Sequence, residues 1–242
     1  MKPDPAWKRL DSAAEQEPDK SSSGWRSHVP YLFSLGPLLL PAHCWKSQPS
    51  LPEGNSLLRD MSPEPHFRSS EPSLIAPCEE LRDSYLSFVA EVHGRGERGV
   101  PFVVEFPTDD FTAFLQGLKD CVEGIGVPEG FVAHETFWLV DDGEVVGVSN
   151  LRLSLSERLR KEGGHIGYGI RPSARRKGYA IRILALTLLK ARGRGIGDVL
   201  VTCDKENVAS ARTILRNGGR LDSEEFDAQK RVTRQRYWIP KA

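Results

Sequence analysis

The sequence predicts one mixed α/β domain, which begins near residue 72 and is about 170 residues long. Two observations lead to this prediction. Apolar residues recur at helical spacing in some segments and alternate with polar residues in others. These segments follow one another in the order strand, two helices, hairpin, strand, helix, strand, helix and strand, which is typical of a domain that packs helices on a sheet.

The first elements of the domain are a short strand and two helices. The strand is predicted at SLIAP, residues 73–77. In CEELRDSYLSFVAEV, residues 78–92, one helical face carries Leu81, Tyr85, Phe88 and Val89. The second helix lies in TDDFTAFLQGLKDCVEGIG, residues 108–126, with Thr108 or Asp109 as its N-terminal cap. Its apolar face carries Phe111, Phe114, Leu115 and Leu118.

The second half of the domain begins with a hairpin. Two β-rich runs flank Asp141-Asp142-Gly143, a strong signal for a tight turn. The polar connection SLSERLRKEGG leads to a strand at HIGYGIRP, and a helix is expected from about Tyr179 to Arg192. The segment IGDVLVTCD predicts a further strand, NVASARTILRN a helix that stops at Gly218-Gly219, and RVTRQRYWI the last strand.

Composition excludes several classes of function. The formal net charge is zero, with 27% charged and 39% hydrophobic residues, so there is no global attraction to nucleic acid or anionic lipid. The cysteines at positions 44, 78, 121 and 203 are far apart, which favours reduced thiols in a cytoplasmic protein and no metal site. The longest apolar piece, residues 29–41, is too short to span a bilayer.

Residues 1–71 are predicted to be a largely disordered extension. They are rich in proline and serine and show no sustained period, so they bury too little apolar surface to offset the entropy of ordering. A start site assigned too far upstream is a second explanation for this composition. The aromatic residues Trp25, Tyr31 and Phe33 leave open a segment that binds a partner or a membrane surface.

A basic junction, RPSARRKGYA at residues 171–180, connects a predicted strand to a helix. The start of a helix offers unpaired N–H groups and the positive end of its dipole, which together attract anions. From Gly163 to Gly197 there are eight Arg and Lys residues and no Asp or Glu. Gly178 lacks the Cβ that would keep a phosphate from the backbone. The junction therefore predicts a ligand that carries phosphate.

The segment RRKGYA, residues 175–180, fits the pattern [QR]-x-x-G-x-[GA], and the chain here resembles the GNAT superfamily of acetyl-CoA-dependent N-acetyltransferases. The asparagine-initiated helix NVASARTILRNGG and the order of elements are also similar to the family. The resemblance covers roughly residues 72–242. It implies a mostly antiparallel central sheet flanked by helices, a splayed central strand, a pyrophosphate loop and acetyl-CoA as co-substrate, without a metal.

The resemblance also implies site residues. Amides of the loop would bind the pyrophosphate of acetyl-CoA, and the loop consists of Arg175, Arg176, Lys177, Gly178, Tyr179 and Ala180. The backbone of Ile170 and Arg171 would pair with the pantetheine arm. Asn207 would lie against the same arm, with Ser210 beside it. Each also has a structural explanation: a turn glycine, a solvated basic face, a helix cap.

The implied reaction is attack of a neutral amine on the thioester of acetyl-CoA, which requires a base. Family members often carry a glutamate at the position of Gly164, so His165 is the nearest candidate base, with Glu162 beyond it. The tyrosine that often protonates the thiolate is replaced by Ile214. Because a thiol pKa lies near about 8.5, this loss should slow the reaction without abolishing it.

The sequence contains further candidate residues for proton transfer and for binding of the acceptor. Tyr168 and Tyr179 are possible substitutes for the missing acid, and Asp109 and Asp110 could attract a cationic acceptor. Trp138, Tyr237 and Trp238 could line a pocket, although aromatic residues on strands usually belong to the core. One alternative to an enzyme is a catalytically silent module that binds CoA. Another is a nucleic-acid-binding protein, but the sequence has neither a basic tail nor a pattern of stacking aromatic residues to support it. A homodimer is possible.

Overall fold

A computed structural model of the chain describes residues 71–127 and 130–241. Except for Glu71, the extension predicted over residues 1–71 lies outside the described residues. Seven strands form two antiparallel sheets, one with the order β1-β2-β3-β4 and one with the order β5-β7-β6. The first sheet contains β1 (Ser73–Ile75), β2 (His134–Asp141), β3 (Glu144–Arg152) and β4 (Ile166–Ile170). The second contains β5 (Val199–Asp204), β6 (Arg220–Asp227) and β7 (Val232–Ile239).

The predicted hairpin is present, and its turn explains the register of β2 and β3. Asp142 and Gly143 have φ angles of 48° and 75°, and Asp141 pairs with Glu144. Two successive left-handed residues make the turn that matches the twist of the flanking strands. A glycine at the second position therefore accommodates a conformation that most side chains avoid.

Five α-helices are described: α1 (Arg82–Gly94), α2 (Phe111–Val122), α3 (Glu157–Lys161), α4 (Tyr179–Gly193) and α5 (Val208–Arg216). Of these, α1 and α2 pack on one face of the first sheet and α4 packs on the other. On one face, Trp138 stacks on Tyr85 with ring centroids 4.6 Å apart, and Phe114 lies 5.2 Å from the same tyrosine. On the other face, Ser149 and Thr187 form a buried hydrogen bond of 2.8 Å that connects β3 to α4.

The apolar core is continuous across the two sheets. One cluster contains Leu151 and Ile166 of the first sheet, Leu184 of α4, and Val201 and Tyr237 of the second sheet. Burial of such side chains contributes roughly 25 cal/mol for each Å² removed from water. The two sheets therefore share one core although they do not share a regular ladder.

Several local features differ from the sequence prediction. The connection 154–164 contains α3, which is too short to show a period but is capped by Ser156. The strand β6 was not predicted from the sequence. Its residues are almost all exposed and polar, so apolar and polar side chains do not alternate along it. The cap of α2 is Asp110, whose carboxylate accepts from the N–H of Ala113 at 3.0 Å, and not Thr108 or Asp109.

Candidate functional site

The central strand β4 has one free edge. At the C-terminal end of β4, the N–H of Arg171 donates to the carbonyl of Val146. Because the backbone groups of successive residues point to alternate sides of a strand, those of the preceding residue, Ile170, point away from β3. By the same alternation, the backbone groups of Ile166 and Tyr168 also face away from β3 and toward the second sheet. Ile166 and Tyr168 therefore direct main-chain N–H and C=O groups to the side of β5. Ile170 offers only its N–H there, because its carbonyl accepts from the guanidinium of Arg175.

The contact between β4 and β5 is limited to the start of β4. Within the described part of the chain, the backbone-to-backbone pairing consists of an isolated bridge between Gly164 and Val201 and a 2.7 Å hydrogen bond from the N–H of His165 to the carbonyl of Leu200. Beyond these residues no ladder joins the two strands. The resulting gap is the splayed central strand that the family resemblance implies.

The basic junction lies where β4 ends and α4 begins. Arg176 and Gly178 both have positive φ angles, 64° and 89°, and Gly178 is the N-terminal cap of α4 without a side-chain hydrogen bond. The backbone N–H groups of Arg176, Lys177, Gly178 and Ala180 have no hydrogen-bond partner within residues 71–127 and 130–241. By contrast, Asp110, Ser156 and Asn207 cap α2, α3 and α5. The start of α4 is therefore available to an external anion.

The three cations of this loop differ in their surroundings. The guanidinium of Arg175 donates to both carboxylate oxygens of Glu97, at 2.8 and 2.5 Å, and to the carbonyl of Ile170 at 3.2 Å. The hydrogen bond to Glu97 raises the pKa of Arg175 and lowers that of Glu97. Arg176 and Lys177 are exposed and lack an ion-pair partner among the described residues. Two of the three charges therefore remain available to a ligand.

Arg171 has a different environment from the one expected. Its side chain is buried and donates to the carbonyls of Val145 at 3.0 Å and Ser84 at 2.7 Å, so it connects α1 to β3. Its N–H is already used by Val146. Ile170 directs its backbone into the gap, whereas Arg171 directs its N–H to β3 and its side chain to α1.

The other side of the gap is formed by the start of α5. The side-chain oxygen of Asn207 accepts from the N–H of Ser210 at 3.0 Å, so Asn207 caps this helix. The Ser210 hydroxyl lies 3.0 Å from the hydroxyl of Tyr168, which reaches across the gap from β4. Burial raises the pKa of Tyr168 to about 12, so this phenol is protonated at neutral pH. The structure thus brings Tyr168, Asn207 and Ser210 together.

The candidate bases are already engaged in contacts. His165 is 8% exposed, and its Nδ1 accepts a 2.9 Å hydrogen bond from the N–H of Leu200. Burial, together with nearby Arg160 and Arg152, lowers its pKa to about 4. Glu162 accepts from Lys230, which holds its carboxyl pKa below the ordinary value, and from Arg234 at 3.3 Å. Both groups are therefore held in fixed protonation states at neutral pH.

The sequence interpretation missed a polar group beneath the segment between α1 and α2. It consists of His134, Thr136, Asn150 and Arg152, which are all buried. The signal was present, because these residues occupy the positions on β2 and β3 that alternate with the apolar face toward α4. Polar side chains at inward-facing strand positions need partners, and they point to function more strongly than exposed ones.

Two kinds of feature are absent from the described ranges. No helix within residues 71–127 and 130–241 has the length and apolar content needed to cross a bilayer. In the same ranges, no group of three or more His, Cys, Asp or Glu side chains is arranged to hold a metal ion.

Comparisons with known proteins agree with this geometry. A structural match is the ribosomal L7/L12 alpha-N-protein acetyltransferase RimL in complex with coenzyme A, at 16% identity, a TM-score of 0.54, and coverage of 72% of this chain and 96% of that one. Another is the microcin C7 self-immunity acetyltransferase MccE in complex with acetyl-CoA and AMP, at 14% identity, a TM-score of 0.52, and coverage of 70% and 92%. An acetyl transferase from Salmonella typhimurium that modifies the N-terminal serine of L7/L12 matches at 16% identity, a TM-score of 0.52, and coverage of 72% and 97%.

Because their identities are low, these similarities show the fold alone. Comparison with curated proteins gives no significant match. The model of the acetyltransferase (GNAT) domain family matches residues 98–220, about half of the chain, including the gap, the basic loop and α5. The chain therefore belongs to the GNAT acetyltransferase family.

Proposed function

We propose that the chain is an N-acetyltransferase that moves the acetyl group of acetyl-CoA to a primary amine by direct attack in a ternary complex. The observation that carries the proposal is the uncapped start of α4, with free N–H groups at the point where the gap beside β4 opens. Structural neighbours hold CoA or acetyl-CoA, which supports this choice of co-substrate.

The residues present fit acetyl-CoA. The pyrophosphate would accept hydrogen bonds from the loop amides between Arg176 and Ala180, and Lys177 would add a full charge. The amides of the pantetheine arm would pair with the backbone of Tyr168 and with the N–H of Ile170, whose carbonyl already accepts from Arg175, as an added strand pairs with a sheet edge. Asn207 caps α5 with its oxygen, which leaves its side-chain N–H groups for the same arm.

The chemistry follows from this placement. The amine nitrogen attacks the thioester carbon, the C–S bond breaks, and the proton lost by the amine passes to solvent water. The oxyanion of the tetrahedral intermediate would accept a hydrogen bond from the N–H of Ile170, and positioning of both substrates supplies most of the rate gain. Tyr168, held protonated beside Ser210, would donate a proton to the thiolate. The geometry favours a positioning role for His165 over the catalytic one predicted from the sequence.

The proposal is tested by CoA release from the full chain with acetyl-CoA and a panel of amines, alongside calorimetric titration of acetyl-CoA. Gly178→Val should abolish both turnover and binding, because the position needs a φ of 89° and close approach of phosphate. Gly195→Val is the matched control: it also has a positive φ, 78°, and open space around it, but lies beyond the other end of α4. Unchanged binding in Gly178→Val would contradict the proposal.

A catalytically silent CoA-binding module is the second candidate. It is favoured by the position of Gly164, which is pressed against the carbonyl of Leu200, and by Ile214, which is fully buried in the core. Neither position can supply an acid or a base. Acetyl-CoA binding without turnover across the amine panel would favour this module over the enzyme.

A further inference from the structure

A cavity of about 530 Å³ lies beyond the C-terminal end of α4, whereas the basic loop precedes the start of that helix. Cavities of roughly 300–1,000 Å³ are typical of small-molecule sites. The walls are contributed by α3, by β7, and by residues 153–155, 165 and 194–198. Because α4 has 15 residues and is therefore roughly 22 Å long, this cavity is far from the uncapped N–H groups at its start.

His165 borders this cavity and has one hydrogen-bond donor without a partner. Its Nδ1 accepts from the N–H of Leu200, and burial, followed by the charge of Arg160, lowers the pKa of the ring to about 4. The imidazole is therefore neutral at pH 7, with its proton on Nε2. Nε2 has no partner among the described residues, and it is not one of the unpartnered atoms that are sealed from solvent. The N–H of Nε2 is therefore accessible, and the space that the ring borders is the cavity.

Two guanidinium groups also border the cavity. Arg160 is exposed, lies near enough to lower the pKa of the imidazole, and has no ion-pair partner within residues 71–127 and 130–241. Arg194 donates through Nε and Nη2 to one carboxylate oxygen of Glu135, at 3.1 and 2.8 Å, which leaves its Nη1 unused. Asp198 is the one carboxylate on these walls in the described chain, and it accepts from the N–H of Lys241 at 3.0 Å. The polar walls therefore offer more donors than acceptors, and the charge of Arg160 is uncompensated.

Apolar side chains form another wall of the cavity. The ring of Trp238 meets that of His165 edge-on, with centroids 6.4 Å apart. Trp238 is half-buried, and its indole N–H has no partner in the part of the chain that the structure describes. Leu153, Leu155 and Ile196 border the same space. Aromatic and aliphatic walls with a few donors are the usual features of a site for an organic ligand.

The cavity is separate from the place proposed for acetyl transfer. His165 precedes Ile170 by five residues of extended backbone, so the two lie roughly 16 Å apart along β4. The N–H of Ile170 is the group proposed to bind the oxyanion of the intermediate. A molecule held beside His165 is therefore too far away to attack the thioester.

We propose that this cavity binds an organic anion, which is a carboxylate or phosphate attached to an apolar group, as a ligand distinct from acetyl-CoA and from the amine acceptor. The oxyanion would accept hydrogen bonds from Arg160 and from Nε2 of His165, and the apolar group would pack on Trp238. Because His165 also accepts from Leu200, the bound anion would stabilise the contact that joins β4 to β5 before the gap opens. The inference goes beyond the proposed acetyl transfer and does not depend on it.

The test follows the indole N–H resonance of Trp238 by NMR, assigned with Trp238→Phe, while the full chain is titrated with phenylacetate, phenyl phosphate or phenylacetamide. Phenylacetamide has the shape of phenylacetate but no charge. The expected result is a saturable shift with at least one anion and an affinity at least about tenfold weaker for phenylacetamide. Tighter binding of phenylacetate identifies a carboxylate ligand, and tighter binding of phenyl phosphate identifies a phosphate. No saturable shift with either anion, or equal affinity for phenylacetamide, would overturn the inference.

A pair of variants on α3 tests the role of the uncompensated charge. Arg160→Gln should weaken binding of the preferred anion at least about tenfold. The matched control is Arg158→Gln: Arg158 is exposed on the same helix, but it lies over the ring of Phe131, 5.5 Å from the centroid, and does not border the cavity. Melting temperatures establish that both variants fold. Equal effects of the two variants would assign the binding to net charge and overturn the inference.

Competition with CoA separates this cavity from the basic loop. With saturating CoA present, the anion should bind with unchanged affinity, because the two sites lie at opposite ends of α4. Displacement of the anion by CoA would place it at the loop and overturn the inference. If the chain binds no CoA, the proposed function fails, whereas anion binding that is lost in Arg160→Gln and retained in Arg158→Gln still supports the cavity as a site.

Discussion

The backbone N–H of Leu200 donates a 2.9 Å hydrogen bond to Nδ1 of His165, and this contact decides the protonation of the imidazole. Nδ1 must be unprotonated to accept, so the proton of the neutral ring is on Nε2. The residue preceding His165, Gly164, forms the isolated bridge to Val201. The imidazole is therefore part of the point where the two sheets meet before β4 and β5 diverge.

The first prediction is that His165→Asn has little effect on catalysis. The side-chain oxygen of asparagine can accept from the N–H of Leu200 in place of Nδ1, but it cannot act as a base. A catalytic base contributes about 10²–10⁴-fold, so kcat of the variant should stay within about tenfold of the wild type at pH 7. The measurement is the pH profile of kcat/KM for both chains. If the variant lacks one of the pH-dependent slopes that the wild-type profile shows, His165 is the catalytic base.

Acid stability is the subject of the second prediction. The pKa values of His134 and His165 are both lowered to about 4, mainly by burial, whereas an unfolded histidine titrates near about 6.5. The unfolded chain therefore binds more protons between these values, and stability falls as the pH drops from about 6.5 to about 4. Thermal unfolding followed across this window should show a steep decline.

Variants of the two histidines test the cause of that decline. His134→Phe and His165→Asn should each flatten it, because neither new side chain takes up a proton. Glu162 has a lowered pKa and contributes stability that is lost only as the pH falls below the ordinary carboxyl value, so its effect belongs to a more acidic window. A decline of equal slope in all three chains would assign the effect to other groups.

The third prediction concerns the ion pair of Arg175 and Glu97. Both carboxylate oxygens of Glu97 engage the guanidinium, so a phosphate in the loop competes with this carboxylate. Glu97→Gln should therefore strengthen acetyl-CoA binding by up to about tenfold, with the larger effect at low salt. Calorimetric titration provides the dissociation constants. Glu135→Gln, which breaks the pair with Arg194, is the control, and equal effects of the two variants would contradict the competition.

The fourth prediction distinguishes two tyrosines. Tyr168→Phe keeps the ring that packs between β4 and α5 but removes the hydroxyl beside Ser210. If this phenol protonates the thiolate, kcat should fall about 10–100-fold while the affinity for acetyl-CoA is retained. Tyr179→Phe is the matched comparison, because its hydroxyl donates to Asp141 on the hairpin. Rapid-quench or steady-state CoA release measures kcat for the two variants. A larger loss of kcat in Tyr179→Phe would indicate that Tyr179, and not Tyr168, protonates the thiolate.

Local patterns predicted much of the fold and of the conformation of the basic loop. The Asp142-Gly143 turn, the helix after Gly178 and the cap at Asn207 depend on neighbouring residues, and such features can be recognised in a sequence. The environments of Arg171 and Arg175 depend on Ser84 and Glu97, which are far away along the chain, so no local pattern contains them.

The environment of the polar cluster also depends on a residue that is distant along the chain. His134 and Asn150 fit their strands by alternation, yet only the packing of Phe102 above them shows that they are buried. β6 lacked any usable signal, because an exposed edge strand has no apolar face to alternate. The burial of this cluster and the strand β6 are therefore the features that the sequence predicts least.

The last prediction concerns the two glycines on either side of Tyr168. A Cβ at Gly169 would lie 1.9 Å from the carbonyl oxygen of Val100, whereas a Cβ at Gly167 would lie 3.3 Å from Pro101. Gly169→Ala must therefore displace the segment that covers β4 and should cost about 1–3 kcal/mol of stability, while Gly167→Ala should cost less. Denaturant unfolding measures both free energies. Acetyl-CoA affinity should be retained in each variant, because the backbone of these two residues pairs with β3 and does not face the gap. A loss of affinity in Gly167→Ala would contradict the placement of the cofactor arm on the edge of β4 that faces β5.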